Sequence, residues 1–339
     1  MVQDMLKACT GTGTDADTVL PFPPSIEQAC APEMPGLAMI QWALFQLGNL
    51  LARPVQFPQS ANKRVRYTTL RDPDARSTVL DTFTLPAAQL GALRDACRTR
   101  GLTVTQVLDA AMLCATAGIV SDEQRRAMNL RCLLSVGLRP FGKDCPWKDF
   151  TGGTVACAGG AVDFIVPVPA SAPEATADAF WALAATCRDR AKQLMDCNFV
   201  PESVRLFDLG IQYAEVLRIV DKDAESGTLG RGFSCGVSNV GMCDFDFAHQ
   251  GELQVDGVFY GTSHARNGVL CQLSVETVKA SGSLCDCLQM TDPLTTRDVH
   301  SRRLFSAFLR RGVRIDSVCG ARNSCGRRKG LMYVKLRTS

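Results

Sequence analysis

The sequence predicts an α/β fold, because two hydrophobic periodicities take turns along it. Short runs of alternating apolar and polar residues, ended by glycine or proline, fall at 82–85, 129–138, 162–166, 252–259, 269–277 and 284–290; such alternation marks strands that bury one face. Between them, apolar residues recur every three to four positions over 86–100, 103–115 and 174–194, the spacing of helices with one buried side. A hydrophobic share of 46% over 339 residues is ample for a core and excludes a chain disordered throughout.

Residues 1–20, polar and glycine-containing, and the Pro21–Glu27 segment with its three prolines read as loop. A helix is expected from Pro35 through Met39, Ile40, Leu44, Leu47 and Leu51, stopped by Pro54, and the basic Lys63–Thr69 stretch reads as extended. Thr82–Leu85 is a short strand. Pro86 opens a helix with Leu90, Leu93 and Cys97 on one side and Gly101 at its close. Thr103 and Gln106 stand at the spacing of a capping box, ahead of a helix through Val107, Leu108, Ala111, Met112 and Ala115, where nothing points to chemistry.

Asn129–Leu138 is a strand that delivers Arg139-Pro140-Phe141 at its end. Glycines from Gly152 to Gly160 lead into the strand Val162–Val166, which Pro167 and Pro169 are expected to end. The helix Glu174–Leu194 turns Phe180, Leu183, Ala184 and Cys187 inward and Arg188, Arg190 and Lys192 toward water. Ser238-Asn239-Val240-Gly241 reads as a corner between two strands, with a hydroxyl and an amide able to bond backbone and a glycine free to take an irregular dihedral. Asp256, before Gly257, reads as a turn acid, and Asp163 as an edge or ion-pair acid. Leu284–Met290 pairs back across the Lys279–Ser283 loop as a hairpin, Asp292-Pro293 marks a turn, and Arg302–Arg311 is a helix.

Charge is unevenly placed. Residues 301–339 carry eleven Lys or Arg against Asp316 alone, so the body of the chain is acidic although the whole has a net charge of +3. An acidic body gives no footprint for nucleic acid, and past Gly312 the pattern decays into a solvated basic tail. No apolar run of eighteen residues spans a membrane and no secretory segment opens the chain, so the sixteen cysteines are expected as reduced thiols in a cytoplasmic protein. No metal site is expected. Cys285 and Cys287 lack a second pair at zinc spacing, and Cys319 and Cys325 lack a histidine. Gly230-Arg-Gly232 does not open a strand-to-helix unit, which speaks against a dinucleotide cofactor.

Several of these pieces together resemble the condensation-like superfamily of CoA-dependent acyltransferases, which includes alcohol O-acetyltransferases and peptide-synthetase condensation domains. The resemblance runs over about residues 20–310. It rests on Pro23-Pro24-Ser25-Ile26-Glu27, Phe83-Thr-Leu-Pro86 with Leu90 and Leu93, Gly101-Leu-Thr-Val-Thr105, Leu134-Ser-Val-Gly-Leu-Arg139, Val237-Ser238-Asn239-Val240-Gly241 and the closing strands. It implies a chloramphenicol-acetyltransferase-like two-layer sandwich, present here mostly as the second subdomain: 1–62 a remnant of the first subdomain and linker, 63–312 the second subdomain, 313–339 the basic tail. It also implies transfer of an acyl group from acyl-CoA to a small alcohol, in secondary metabolism, with no metal or redox cofactor.

The superfamily's general base is the histidine of a histidine-x-x-x-aspartate motif, needed because a neutral alcohol attacks a thioester poorly until its proton can leave. This sequence has His249, His264 and His300, and four positions after them stand Leu253, Gly268 and Leu304. The chain therefore reads as an N-terminally incomplete relative, as a catalytically inactive scaffold, or as a module completed by a protein partner. His264, ahead of Ala265-Arg266-Asn267-Gly268 in an expected turn, is either a surface or hydrogen-bonded histidine or a substitute base. Arg139 either makes a structural ion pair or contacts a pantetheine or phosphate group. Ser238 and Asn239 either hold their corner or donate hydrogen bonds along a thioester channel.

Overall fold

The computed structural model of the chain describes residues 79–119, 128–138, 159–169, 176–196, 233–243, 253–260, 271–278, 284–290 and 333–338, with the single positions Leu44, Ala172, Val200 and Val269. Three helices and eight strands lie in them: β1 (Val79–Leu85), α1 (Ala87–Thr99), α2 (Val104–Ile119), β2 (Met128–Gly137), β3 (Gly159–Val168), α3 (Ala177–Asp196), β4 (Cys235–Cys243), β5 (Leu253–Phe259), β6 (Cys271–Val278), β7 (Leu284–Met290) and β8 (Tyr333–Thr338). Of the expected helix from Pro35 to Leu51 only Leu44 is described, helical and exposed. The expectations for Lys63–Thr69, Arg302–Arg311 and the Cys319–Cys325 pair fall outside the described residues.

Six strands form one mixed sheet in the order β1-β7-β6-β4-β2-β3, with β2, β4 and β6 parallel to one another and the other neighbours antiparallel. Strands β6 and β7 pair antiparallel, as expected of Leu284–Met290 folding back; residues 279–283 lie outside the described residues. Strands β2 and β3 alternate as one-faced strands should: Leu130, Cys132, Val162, Phe164 and Val166 are buried on the side that the helices cover. On the other side of this pair Arg131 Nε donates to Asp163 Oδ2 at 2.6 Å, and the Arg131 guanidinium lies 4.8 Å from the Phe233 ring centre, so Asp163 is the ion-pair acid its sequence context suggests.

Helix α2 is the centre of the helical layer. It packs on α3 and on β4, with β2, β3 and α1 also against it, and every residue from Val107 to Ala117 is buried. A helix apolar nearly all round is one enclosed by the core, and Ala110, Ala111, Ala115 and Ala117 let its neighbours come close. Helix α1 begins where Pro86 accepts the first helical bond, from Leu90 N–H. It ends in a Schellman turn: Leu102 N–H returns to Cys97 O at 2.9 Å and Gly101 N–H to Arg98 O at 3.1 Å, with Gly101 at φ 63°. The Arg100 guanidinium stacks 4.3 Å from the Trp181 ring centre and Arg188 Nη1 donates to Gly101 O, which ties the end of α1 to α3.

Five sequence expectations are corrected by this arrangement. Pro167 does not end β3 but lies inside it, opposite Asn129; β3 is the last strand of the sheet as described, and there a residue without an N–H breaks no ladder. The Ser238–Gly241 stretch is no corner between strands, because β4 runs straight through it with a bulge between Asn239 and Gly241. Asp256 is not in a turn; it is the extra residue of a second bulge, between Val255 and Gly257 in β5. The capping box is not reciprocal: Thr103 N–H and Thr103 hydroxyl both donate to Gln106 Oε1, at 2.6 and 2.7 Å. Finally, residues 333–338 of the basic tail form β8, paired antiparallel with β5, and β5 lies near β6 and β7.

Candidate functional site

Strand β4 holds its two neighbours unequally. It pairs with β6 from Gly236 to Cys243, but with β2 over only three positions, Cys132↔Cys235, Leu133↔Gly236 and Leu134↔Val237. Beyond Leu134, β2 stays with β3 to Gly137, and beyond Val237, β4 stays with β6. The two parallel strands therefore part at their carboxyl ends. From β2 the chain turns to β3 on one side, and from β4 it passes through β5 of the second sheet before returning as β6 on the other. An open α/β sheet offers a ligand crevice at such a switch of direction, outside the carboxyl ends of its strands.

Ser238 and Asn239 line this parting, one on each face of the sheet. Asn239 shares the face of Cys235 and Val237, under α2, where its Nδ2 donates to Thr105 Oγ1 at 3.0 Å and its Oδ1 accepts from Gly241 N–H at 2.9 Å. The second bond closes the bulge, and Gly241 has φ 84°, a left-handed value that a side chain disfavours. The first bond fixes the start of α2 to the bulge. Asn239 is thus held at both ends of its amide and retains one amide hydrogen.

Ser238 faces the opposite side. There the Tyr260 hydroxyl, one residue past β5, lies 2.7 Å from both the carbonyl and the Oγ of Ser238. A carbonyl only accepts, so it takes the Tyr260 proton, and the Ser238 hydroxyl keeps its own hydrogen for Tyr260 Oη or for a bound molecule. Ser274, the register partner of Ser238, and Glu276, the partner of Gly241, continue the same face of β6 and are buried. Val240 and Met242 are exposed at the rim, at 60% and 58%.

Of the residues that the sequence singles out for a site, the structure brings Ser238 and Asn239 to this parting. Arg139 follows Leu138 just after β2, and both it and His264 lie outside the described residues, as do His249 and His300. Sequence reading missed Tyr260, Thr105 and Glu276. Nothing in the chain's periodicity marks Tyr260 or Thr105, whose partners are far away in sequence. Glu276 carried a signal, a lone carboxylate in the otherwise uncharged run 269–275 and Thr277.

Sequence reading also passed over Asp109, which stands between Leu108 and Ala110 in the apolar helix α2. It is fully buried, Cys132 Sγ donates to its Oδ1 at 3.8 Å, and its Oδ2 has no partner among the described residues. Burial raises its proton affinity to about 8. The thiols of Cys114, Cys132, Cys187 and Cys235 are buried as well. Burial also pushes the Cys114 thiol up to about 12. Cys132 is held well above the ordinary thiol range, first by its hydrogen bond with Cys235 and then by burial. Among the described residues no group of three or more His, Cys, Asp or Glu is arranged to hold a metal ion, and no helix is long and apolar enough to cross a membrane.

No family model matches the sequence, and no curated protein matches it. Solved structures do match the fold. The EpoB nonribosomal peptide synthetase cyclization-docking bidomain from Sorangium cellulosum superposes with a TM-score of 0.54 at 16% identity, over 92% of this chain and 57% of its own. Polyketide synthase associated protein 5 from Mycobacterium tuberculosis gives 0.53 at 13% identity, over 91% of this chain and 66% of its own. The chain has the condensation-type, chloramphenicol-acetyltransferase-like fold. The epimerization domain from the third module of tyrocidine synthetase B agrees, with a TM-score of 0.50 at 10% identity over 91% of this chain and 63% of its own. The condensation-type chain thus spans between half and two thirds of the length of these structures.

Proposed function

We propose that this condensation-type chain takes part in acyl transfer, moving an acyl group held as a thioester, with acyl-CoA as donor, onto a small alcohol. The observation that carries the reading is the parting of β2 and β4, a crevice in which the Ser238 hydroxyl is presented from a strand whose bulge is fixed by Asn239 on the opposite face. Donors held in this way stabilise charge developing on a carbonyl oxygen without reorganising. Asn239 positions; Ser238, steadied by Tyr260, is the donor that touches substrate. Arg139, next along the chain from the end of β2, supplies a cation for the phosphate groups of the donor. The chain acts as the second subdomain of its fold, in the cytosol and in secondary metabolism.

The base is the open part of the reaction, since none of the three histidines heads a histidine-x-x-x-aspartate motif. This favours a second reading, in which the chain binds the donor as a scaffold and a protein partner supplies the base. One assay separates the two. The purified chain is incubated with acetyl-CoA or a longer acyl-CoA and a panel of small alcohols, and ester and free CoA are measured by mass spectrometry. Ester formation that needs both substrates and falls at least tenfold in Ser238→Ala supports transfer by this chain. Saturable acyl-CoA binding without ester supports the scaffold, and neither binding nor ester overturns both.

A further inference from the structure

The thiols of Cys132 and Cys235 belong to no step of the proposed transfer. They occupy the first of the three positions that join β2 to β4. Both are fully buried and, as register partners, both lie on the face covered by α2. Register partners on parallel strands have their chains about 4.8 Å apart, inside the span of Cα separations that a disulfide accepts. Asp109 adds a second, independent feature. Its Oδ1 accepts from Cys132 Sγ, and its Oδ2 is buried without a partner among the described residues, so a carboxyl that becomes a proton acceptor on ionising stands beside one of the two sulfurs.

We propose that Cys132 and Cys235 are a redox staple across this seam, closed by a peroxide and opened by a dithiol. Above about pH 8, where Asp109 is ionised, Cys132 gives its proton to that carboxylate and attacks the peroxide. An S–O bond forms, the O–O bond breaks, and water or an alcohol leaves. Cys235 sulfur then displaces the sulfenic oxygen as a second water, taking the proton that Asp109 held together with its own. Each sulfur loses one electron and the peroxide gains two. With no exposed surface on either residue, the reaction runs through opening of the seam, which three register pairs and the two Arg131–Ser234 hydrogen bonds hold. Once formed, the bond ties the strand paired with β3 to the strand paired with β6, at the base of the candidate crevice.

The test uses the full chain, folded and reduced, then exposed to hydrogen peroxide at pH 9. Remaining thiols are alkylated and the digest is read by mass spectrometry. The expected result is a linked pair of peptides carrying Cys132 and Cys235, lighter by two hydrogens than the separate peptides and released by dithiothreitol. Asp109→Asn should slow its appearance several-fold, while Asp95→Asn, an exposed acid on α1, leaves the rate unchanged. Linkage of either cysteine to a different partner, or alkylation of both in the folded, peroxide-treated chain, overturns the proposal. Because the readout is the bond itself, it stands or falls separately from acyl transfer.

Discussion

Asp109 is where a single side chain sets a property of the whole domain. With a proton affinity raised from 3.8 to about 8, the folded chain keeps a proton that the unfolded chain has released across that interval. Its stabilising contribution is complete below pH 3.8 and is lost as pH rises through about 8, with a slope of at most roughly 1.4 kcal/mol per pH unit. Denaturant titrations between pH 5 and 8 should show this slope in the parent and its loss in Asp109→Asn. Thr116, also polar and buried in α2, makes no such demand, because its hydroxyl donates to Met112 O at 2.7 Å. At Ser238 the expectation differs. Tyr260→Phe removes one half-buried hydrogen bond, costing about 0.5–1.5 kcal/mol in stability, but should lower ester formation in the acyl-transfer assay by more than that loss explains. At this scale the sequence was readable only where a residue's partner is near in the chain: Thr103 with Gln106 could be found, Asn239 with Thr105 could not.

Elements show the same division between local and distant causes. The ends of α1 follow from Pro86 and Gly101, and its buried side from Leu90, Leu93 and Cys97, all of which the spacing exposes. The bulge in β4 was legible as an irregularity, through Asn239 and Gly241, but not as a bulge, because a glycine that ends a strand and one that kinks it look alike without the neighbouring strand. Its energetics can be checked. An added Cβ at Gly241 meets nothing within 4 Å, so Gly241→Ala pays only for its left-handed backbone, about 1–2 kcal/mol. Gly137→Ala, at an equally open position with no left-handed dihedral, should change thermal stability little. Helix α2 is a third case. Its continuous apolar run announced burial, while the lone Asp109 within it was overlooked because a helix that packs on all sides looks complete without chemistry.

For the molecule as a whole, the alternation of periods announced an α/β fold, and the resemblance of short segments pointed to the condensation-type architecture that the solved structures bear out. Strand order was beyond reach, since β1 with β7 and β5 with β8 join segments that are distant in sequence. The order matters because it makes the sheet two blocks joined by the short β2–β4 seam. Amides at 132–134 and 235–237 that bridge the seam should exchange with deuterium before those that bridge β4 and β6, measured residue by residue under native conditions. The place of Pro167 has a consequence for how copies of the chain behave at high concentration. The outer side of β3 is where a strand from another molecule would add, and at Pro167 it finds no N–H to accept, so the growing ladder is interrupted near one end of the strand. Pro167→Val restores that donor and should shift the onset of aggregation, followed by light scattering, to lower protein concentration while the melting temperature stays nearly the same.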